Sequence, residues 1–536
     1  MESACDIFYA IYENGGRSDI ISNLVKQLDF HALSITLLAT TASHNMWKYD
    51  RLAKRWDLHR AQVLRTDYNE SLAATIELSL ASPTFRKLGP DARDLLGVVA
   101  FFPQGANEDN LGWLFPTISD REDIFDKFCL LSLTYRSNGF ITMLAPIRDY
   151  LSPSDPSSSP LLCATKHLYF TRLSVTVDPM QLGFEEARWI VSEDVNVEHL
   201  LNVFTSIDAE SGVVWDVCTN FLEHLYWYKC RYTVLGPKIE RLPDDHRSKP
   251  NCLTELSRLS QSVGNFVEQK RLLTHGLKLE REREHEFEVA RILRLLSGVN
   301  RELGLYKEGM QQAEEAVGIY ERLGDVVGQS DCWADLSRLL LSDKQLDAAE
   351  EAGFRSISLL PEKGQEFPLC QRHRTLGRIY RSKEERDKAV HHFEIALGIA
   401  SRFNWHSELC WVNHSLAQMS IREKRFDDAH VHIEQAKTHT VDDEYGLGRL
   451  VELQARAWLR QGKLEDAMSE AFGALKIYEK LGASKDAGRL KKSLRKIERS
   501  MAGEYLETIL APTPFDSPFS AGGGSSSTSA NAFLDD

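Results

Sequence analysis

The stretch Leu376-Gly377-Arg378-Ile379-Tyr380-Arg381-Ser382-Lys383-Glu384-Glu385-Arg386-Asp387-Lys388-Ala389-Val390-His391-His392-Phe393-Glu394-Ile395-Ala396 decides the fold, because its apolar and small residues recur along the chain. Taking Arg386 as a reference, a column runs Phe266, Tyr306, Leu346, Arg386, Phe426 and Leu464, with steps of 40, 40, 40, 40 and 38 residues. Ten residues earlier stand Leu256, Leu296, Leu336, Leu376, Leu416 and then Gln454. With leucine at roughly one residue in ten, five in a row by chance is on the order of one in 100,000. Ten residues later the column is small: Gly276, Ala316, Ser356, Ala396, Ala436 and Ala474. Three further on come Leu279, Ile319, Leu359, Ile399, His439 and Ile477. A small residue at a fixed helical position lets two backbones approach, and the leucine fills the groove so made. Each unit therefore reads as two amphipathic helices joined by a short turn, and six units fill residues 251–482.

Leu376-Gly377, Tyr380, Ala389, Phe393 and Ala396 resemble the tetratricopeptide repeat in residue type and spacing. The other units keep that skeleton with substitutions, and the 40-residue period is similar to the longer-helix variant of kinesin light chains and sensor ATPases. The resemblance implies a superhelix whose groove is lined by the first helix of each unit. After the array, residues 483–510 read as a capping helix with Leu490, Leu494 and Ile497 on one face. Residues 511–536, with Pro512, Pro514, Pro518 and the run Gly522 to Ser527, are expected to be disordered.

The N-terminal half lacks this period. A Ser/Pro-rich linker at 152–160 separates residues 1–151 from a helical connector over 161–250. Helices are expected at Asp91–Phe101, Asn107–Phe115 and Arg121–Leu130, then strands Leu131–Tyr135 and Phe140–Leu144 around Asn138-Gly139, a strong hairpin signal. Three helices and one hairpin make residues 85–151 a winged helix and residues 1–84 a separate helical part. The fold class expected for the chain is thus all-α: a helical domain plus a winged helix with one β-hairpin, followed by a tetratricopeptide α-solenoid.

The runs from Leu28 to Ala39, Ala92 to Pro103 and Met143 to Tyr150 resemble the signal-transduction ATPases of the NB-ARC type, in particular the fungal NOD-like branch with C-terminal tetratricopeptide arrays. That resemblance implies that residues 1–84 are a remnant of the helical domain following a P-loop ATPase, and that ligand capture by the repeats relieves autoinhibition. Ala32 stands where the family usually has proline, and Ala145-Pro146-Ile147 lacks the family histidine. No GxxxxGK[ST] occurs, so phosphoryl-transfer machinery is not supplied by these residues. The expected protein is the C-terminal part of such a molecule, lacking the ATPase: a non-catalytic scaffold or sensor without cofactor or metal. The alternative is a fragment of an ATP-switched protein of innate-immune-like signalling with the P-loop upstream of Met1.

Composition narrows the partners. Lys plus Arg number 64 against 78 Asp plus Glu, a net charge of -14, which argues against a nucleic-acid binder or an anionic-membrane protein. The start lacks a signal peptide and no apolar run approaches the ~20 residues of a membrane span, so a cytoplasmic location is expected. Nine scattered cysteines without a CxxC pair do not form a disulfide framework. Nor is there a GxSxG elbow or a Cys-His signature.

Against that acidic background the groove positions are basic. Read through the six units they give Arg258, Arg291, Arg294, Arg301, Arg338, Arg374, Arg378, Arg381, Arg422, Arg449, Arg456 and Arg460 against Glu302, Asp331 and Glu452. One column alone runs Arg258, Gly298, Arg338, Arg378, Gln418, Arg456. Guanidinium forks match carboxylates and phosphates bidentately, so the expected partner is an acidic or phosphorylated peptide or protein, with a P-loop-bearing family member as a further partner. Trp411 and His414 are expected to face the same groove. The competing reading is that these arginines pair with acids such as Asp335 or Glu408. His406, Cys410 and His414 share a helical spacing, but with His406 ahead of the helix and no fourth ligand they read as a buried Cys between two surface His.

Overall fold

The 40-residue step of the sequence is the step of the helices. The computed structural model describes residues 2–12, 17–28, 30–63, 70–174, 184–228, 233–262, 264–361, 364–440, 444–480 and 484–501. The chain divides into two compact bodies, residues 1–209 and 210–536. Among the described residues the regular structure is helical except for one small three-stranded sheet. None of the described helices is long and apolar enough to cross a membrane. The tail at 511–536 lies outside the described residues.

In the second body, the first and second helices of repeat one are Lys249–Ser262 and Phe266–Glu282, and those of repeat two are Glu286–Glu302 and Tyr306–Leu323. Repeat three has Val326–Ser342 and Leu346–Ser358, and repeat four Glu366–Ser382 and Arg386–Arg402. Repeat five has His406–Arg422 and Phe426–Lys437, and repeat six Glu444–Arg460 and Leu464–Lys480. Helix Ser484–Met501 packs on the second helix of repeat six and buries Leu490, Leu494 and Ile497. At the other end helix Gly212–Tyr228 packs on the first helix of repeat one. The division between the bodies, at Ala209 and Glu210, thus falls inside the segment read as a connector.

The leucine and small-residue columns lie in the core, with Leu256 half-buried, whereas Leu359, Ile399, His439 and Ile477 of the third column are only half-buried. Leu296, Leu336, Leu376 and Leu416 are buried, and Ala316, Ser356, Ala396, Ala436 and Ala474 are wholly so. Gln454, which breaks the leucine column, is also buried, its amide 2.7 Å from His430 Nδ1. Gly377 is required by packing: a Cβ there would lie 2.6 Å from the Phe393 ring of the second helix. Between first and second helices the chain turns through a left-handed residue at Gly264, Gly304, Lys344, Glu384, Lys424 and Gly462. Three of these are not glycine, and a side chain in that region costs about 1–2 kcal/mol.

Curvature follows from unequal packing. From repeat two to repeat six each first helix packs directly on the next first helix, whereas successive second helices do not do so comparably. The closely packed side is the inside of the bend, and the first helices therefore line the concave face.

In the first body, helices between Glu2 and Leu80 bury Phe8, Trp47 and Trp56 in one core. Helices Asp91–Phe101 and Arg121–Leu130 stand where the sequence places them. The hairpin turns at Asn138 and Gly139, both left-handed, but its strands are Tyr135–Ser137 and Phe140–Thr142, shorter than expected. Leu131 and Leu133 are core residues instead, with Ser132 at φ 57 ending the preceding helix. The helix expected at Asn107–Phe115 is replaced by a third strand, Ala106–Asn107, a 3-10 turn and a short helix Leu111–Leu114. The strand pairs antiparallel with Phe140 and Ile141. What holds it is a buried carboxylate. Glu193 accepts from Asn110 at 2.7 Å, Tyr169 at 2.9 Å and Asn196 at 2.8 Å, and Asn196 also donates to the Gly105 carbonyl at 2.9 Å. Burial pushes the Glu193 carboxyl above its ordinary range despite these donors.

Candidate functional site

The arginines read from the sequence all lie on first helices, but they divide into two groups by their surroundings. In repeats one to three they are matched by acids. Arg258 donates to Glu255 at 2.9 Å, stands 3.7 Å from Glu223 and covers the Tyr226 ring at 4.3 Å. Arg291 pairs with Glu288 at 2.6 Å and reaches Asn251 at 3.2 Å. Arg301 pairs with Glu302 at 2.7 Å, and Arg338 with Asp335 one turn away. Asp331 binds two repeats at once: Oδ2 accepts from Arg294 of repeat two and Oδ1 from Arg372 of repeat four, both at 2.5 Å. Burial works to raise the Asp331 carboxyl, but the two guanidiniums overcome it and hold it below its ordinary range.

In repeats four to six the surroundings change. Arg374 Nε lies 3.1 Å from Glu408 Oε2, and Gln371 donates to Oε1 at 3.2 Å; Glu408 is wholly buried. Arg374 and Arg449 stand 5.1 and 5.7 Å from the Trp411 ring centre, and His414 meets that ring edge-on at 6.0 Å. Arg381 donates to Gln418 Oε1. Arg378 and Arg460 are half-buried, Arg456 is buried and Arg422 is exposed. Glu452 is engaged by Arg489 of the last helix and by the Tyr478 hydroxyl at 2.9 Å.

Charge summarises the difference. The first helices of repeats one to three carry six basic residues (Lys249, Arg258, Arg291, Arg294, Arg301, Arg338) and six acids (Glu255, Glu286, Glu288, Glu302, Asp331, Asp335). Those of repeats four to six carry eight arginines (Arg372, Arg374, Arg378, Arg381, Arg422, Arg449, Arg456, Arg460) and four acids (Glu366, Glu408, Glu444, Glu452). The expected count of twelve arginines against three acids omitted Glu255, Glu288, Asp335 and Glu408, which meet the arginines directly. The basic excess is therefore confined to the second half.

Two aromatic and histidine readings change. Trp411 is 1 % exposed and is covered by the flanking arginines rather than open to the groove. His414 is buried too, not on the surface, and His406 begins its helix instead of preceding it, with Nδ1 3.1 Å from His439 Nδ1. Trp333 packs partly buried against the core, and Tyr380 and Phe393 belong to it. The described cysteines are free thiols. Arg372 was missed by the sequence reading, although an acid, Asp331, stands 41 residues before it, one repeat plus one residue. The same offset of about one repeat joins Arg294 to Asp331 and Arg489 to Glu452. A search for opposite charges one repeat apart would have found all three.

No family model matches the sequence, and no curated protein matches it. Solved structures do. The chain is similar to a signal transduction ATPase with numerous domains (STAND) protein with a tetratricopeptide repeat sensor from Pyrococcus horikoshii, at 13% identity and TM-score 0.52, over 96% of this chain and 72% of that one. It is also similar to a Rap protein crystallised with Competence and Sporulation Factor, at 12% identity and TM-score 0.42, over 64% of this chain and 100% of that one. At such identities the likeness is one of fold: a tetratricopeptide-like helical solenoid.

Proposed function

We propose that the chain is a non-catalytic interaction scaffold whose concave face captures an acidic or phosphorylated peptide or protein segment. The observation that carries this reading is the basic excess on the first helices of repeats four to six, eight arginines against four acids. Partly buried guanidiniums beside a covered tryptophan offer bidentate donors in a setting of reduced dielectric, where charge-assisted hydrogen bonds contribute about 1.5–3 kcal/mol each. Five of the six acids on the first helices of repeats one to three pair with the five arginines there, which supports reading that half as holding the array together. In this reading residues 85–151 form a winged-helix relay, residues 1–84 a helical NB-ARC-like remnant, and residues 1–536 the repeat-bearing part of a fungal NOD-like STAND protein. A P-loop-bearing family member would then supply the output, and the site of action is the cytoplasm. The test is binding of fluorescein-labelled acidic and phosphoserine peptides to the full chain by anisotropy. Arg378→Glu with Arg456→Glu should weaken capture by about thirtyfold or more, and undiminished capture would overturn the reading.

A further inference from the structure

The first body carries a basic cluster of its own. Helix Tyr49–Val63 sets Arg51 and Arg55 four residues apart on one face, and Lys48 precedes it. Helix Pro83–Arg86 brings Arg86 close to them, with Lys87 next along the chain. The two segments are tied together by Asn45, whose Oδ1 accepts from the Thr84 amide at 3.0 Å and from the Thr84 hydroxyl at 2.9 Å. Arg55 is also held in place, its guanidinium 4.4 Å from the ring centre of the buried Trp47. Burial first, and the charges of Arg51 and Arg86 next, weaken its hold on its proton below the ordinary guanidinium value.

Other arginines of this body meet acids: Arg17 pairs with Asp6, Arg93 with Glu77, and Arg136 with both Glu108 and Asp126. Among the described residues no carboxylate pairs with Lys48, Arg51, Arg55, Arg86 or Lys87. The acids of the same helix, Asp50 and Asp57, are seven residues apart and share a neighbouring stripe with Lys54. Like charges gathered without a counter-charge cost stability, and they stand here in a chain whose net charge is -14. The chemistry of the missing partner follows from the donors. Each guanidinium presents a planar fork of N–H groups, so three of them offer more donors and more charge than one carboxylate accepts. A phosphoryl group brings three terminal oxygens and close to two negative charges at pH 7. The N-terminus of helix Tyr49–Val63 adds the positive end of its dipole. The place is separate from the ATPase-like run beginning at Leu28, which opens helix Ala32–His44, whereas Asn45 and Trp47 follow that helix's other end, about 18 Å along its axis.

We propose that Arg51, Arg55 and Arg86, with Lys48 and Lys87 at the rim, form a site for a phosphoryl group on the first body, independent of the concave face of the repeats. Trp47 positions Arg55 by stacking, and Asn45 positions Arg86 through Thr84. Two sources share this chemistry: free inorganic phosphates and a phosphorylated side chain of a partner.

The experiment titrates the full chain by calorimetry with inorganic pyrophosphate, with a short phosphoserine peptide and with citrate, and follows thermal unfolding with and without pyrophosphate. At least one phosphate probe should bind more tightly than citrate, and the tighter of the two identifies the source. Arg51→Gln with Arg86→Gln should weaken that binding at least about tenfold. In phosphate-free buffer the same two substitutions should raise the unfolding midpoint by relieving the repulsion on Arg55, and should remove the further rise that pyrophosphate gives the original chain. Arg378→Glu with Arg456→Glu, on the repeats, should leave pyrophosphate binding unchanged. Citrate bound as tightly as the phosphate probes overturns the phosphoryl site, as does equal affinity of the original chain and the Arg51→Gln, Arg86→Gln variant. Binding lost only on Arg378→Glu with Arg456→Glu would move the anion to the repeats and overturn it as well. Failure of both phosphate probes to bind contradicts the site while leaving the concave-face reading to its own test.

Discussion

Repeats one to three and repeats four to six share one period, one turn geometry and one set of core columns, yet their first helices differ in charge. In the first half every guanidinium of the array's inner face meets a carboxylate of its own or the next helix, ending in the Arg294–Asp331–Arg372 bridge. In the second half arginine outnumbers acid two to one, and the deepest acid, Glu408, sits with no exposure beneath Arg374. A balanced ladder orients neighbouring helices but adds little net stability, because desolvation offsets most of the Coulomb gain. The proposed ligand reading rests on the unequal count of arginines and acids on the first helices of repeats four to six.

The largest effect that would sharpen this contrast is expected at Glu408. Glu408→Gln leaves the Arg374 guanidinium, 4 % exposed, without its counter-charge, and should destabilise the chain by about 3–5 kcal/mol in urea unfolding. The corresponding change in the first half, Glu288→Gln, touches a pair whose side chains are more than a quarter exposed and should cost no more than about 1 kcal/mol. Similar costs at the two sites would break the contrast.

Acid pH should act next. His392 of repeat four faces His373 Nδ1 at 2.9 Å, stacks on Tyr380 at 5.3 Å and neighbours His391, Phe354 and Glu350. Burial first, then His373 and His391, lower it from 6.5 to about 4. Below pH 6.5 the unfolded chain takes up a proton that the folded one refuses until about pH 4, so stability present above pH 6.5 is lost across that window. The loss attributable to His392 is about 3 kcal/mol at most. Comparing unfolding at pH 7 and pH 4.5, His392→Gln should lose about 2 kcal/mol less than the original chain. Asp331, held low by two arginines, adds its own loss only below the ordinary carboxylate range. A profile flat from pH 7 to 4.5 would exclude the His392 effect.

A smaller change carries the opposite sign. Glu384 and Lys424 hold left-handed turns of repeats four and five that Gly304 holds in repeat two. Glu384→Gly should therefore raise stability by about 0.5–1 kcal/mol, seen as a higher midpoint of thermal unfolding, with no change in peptide binding. A lowered midpoint would mean that the Glu384 side chain contributes more than its backbone conformation costs.

Most of the array was legible because a period of 40 residues repeats the same steric demand six times. The leucine column from Leu296 onward and the small-residue column fall on buried positions, and Gly377 sits where the Phe393 ring admits no Cβ. Less of the first body could be read. The strand Ala106–Asn107 is two residues long, too short to show alternation, and is held by Glu193 and Asn196 from far along the chain. The arginines were legible as a stripe, but not their neutralisation, since the acids that meet them lie about one repeat away or on the same helix. Trp411 was misplaced for a related reason: helical position set its direction, while Arg374 and Arg449 from neighbouring repeats cover it.

The most direct measurement is the affinity of the full chain for a labelled acidic peptide after charge reversal in each half. Arg378→Glu with Arg456→Glu should weaken binding by about thirtyfold or more, as expected for losing two charge-assisted contacts. Arg258→Glu with Arg291→Glu should change it by less than about threefold while lowering stability, since those side chains are engaged by Glu255 and Glu288. Equal losses from both pairs, or undiminished binding after the first, would contradict the assignment of the ligand face to repeats four to six.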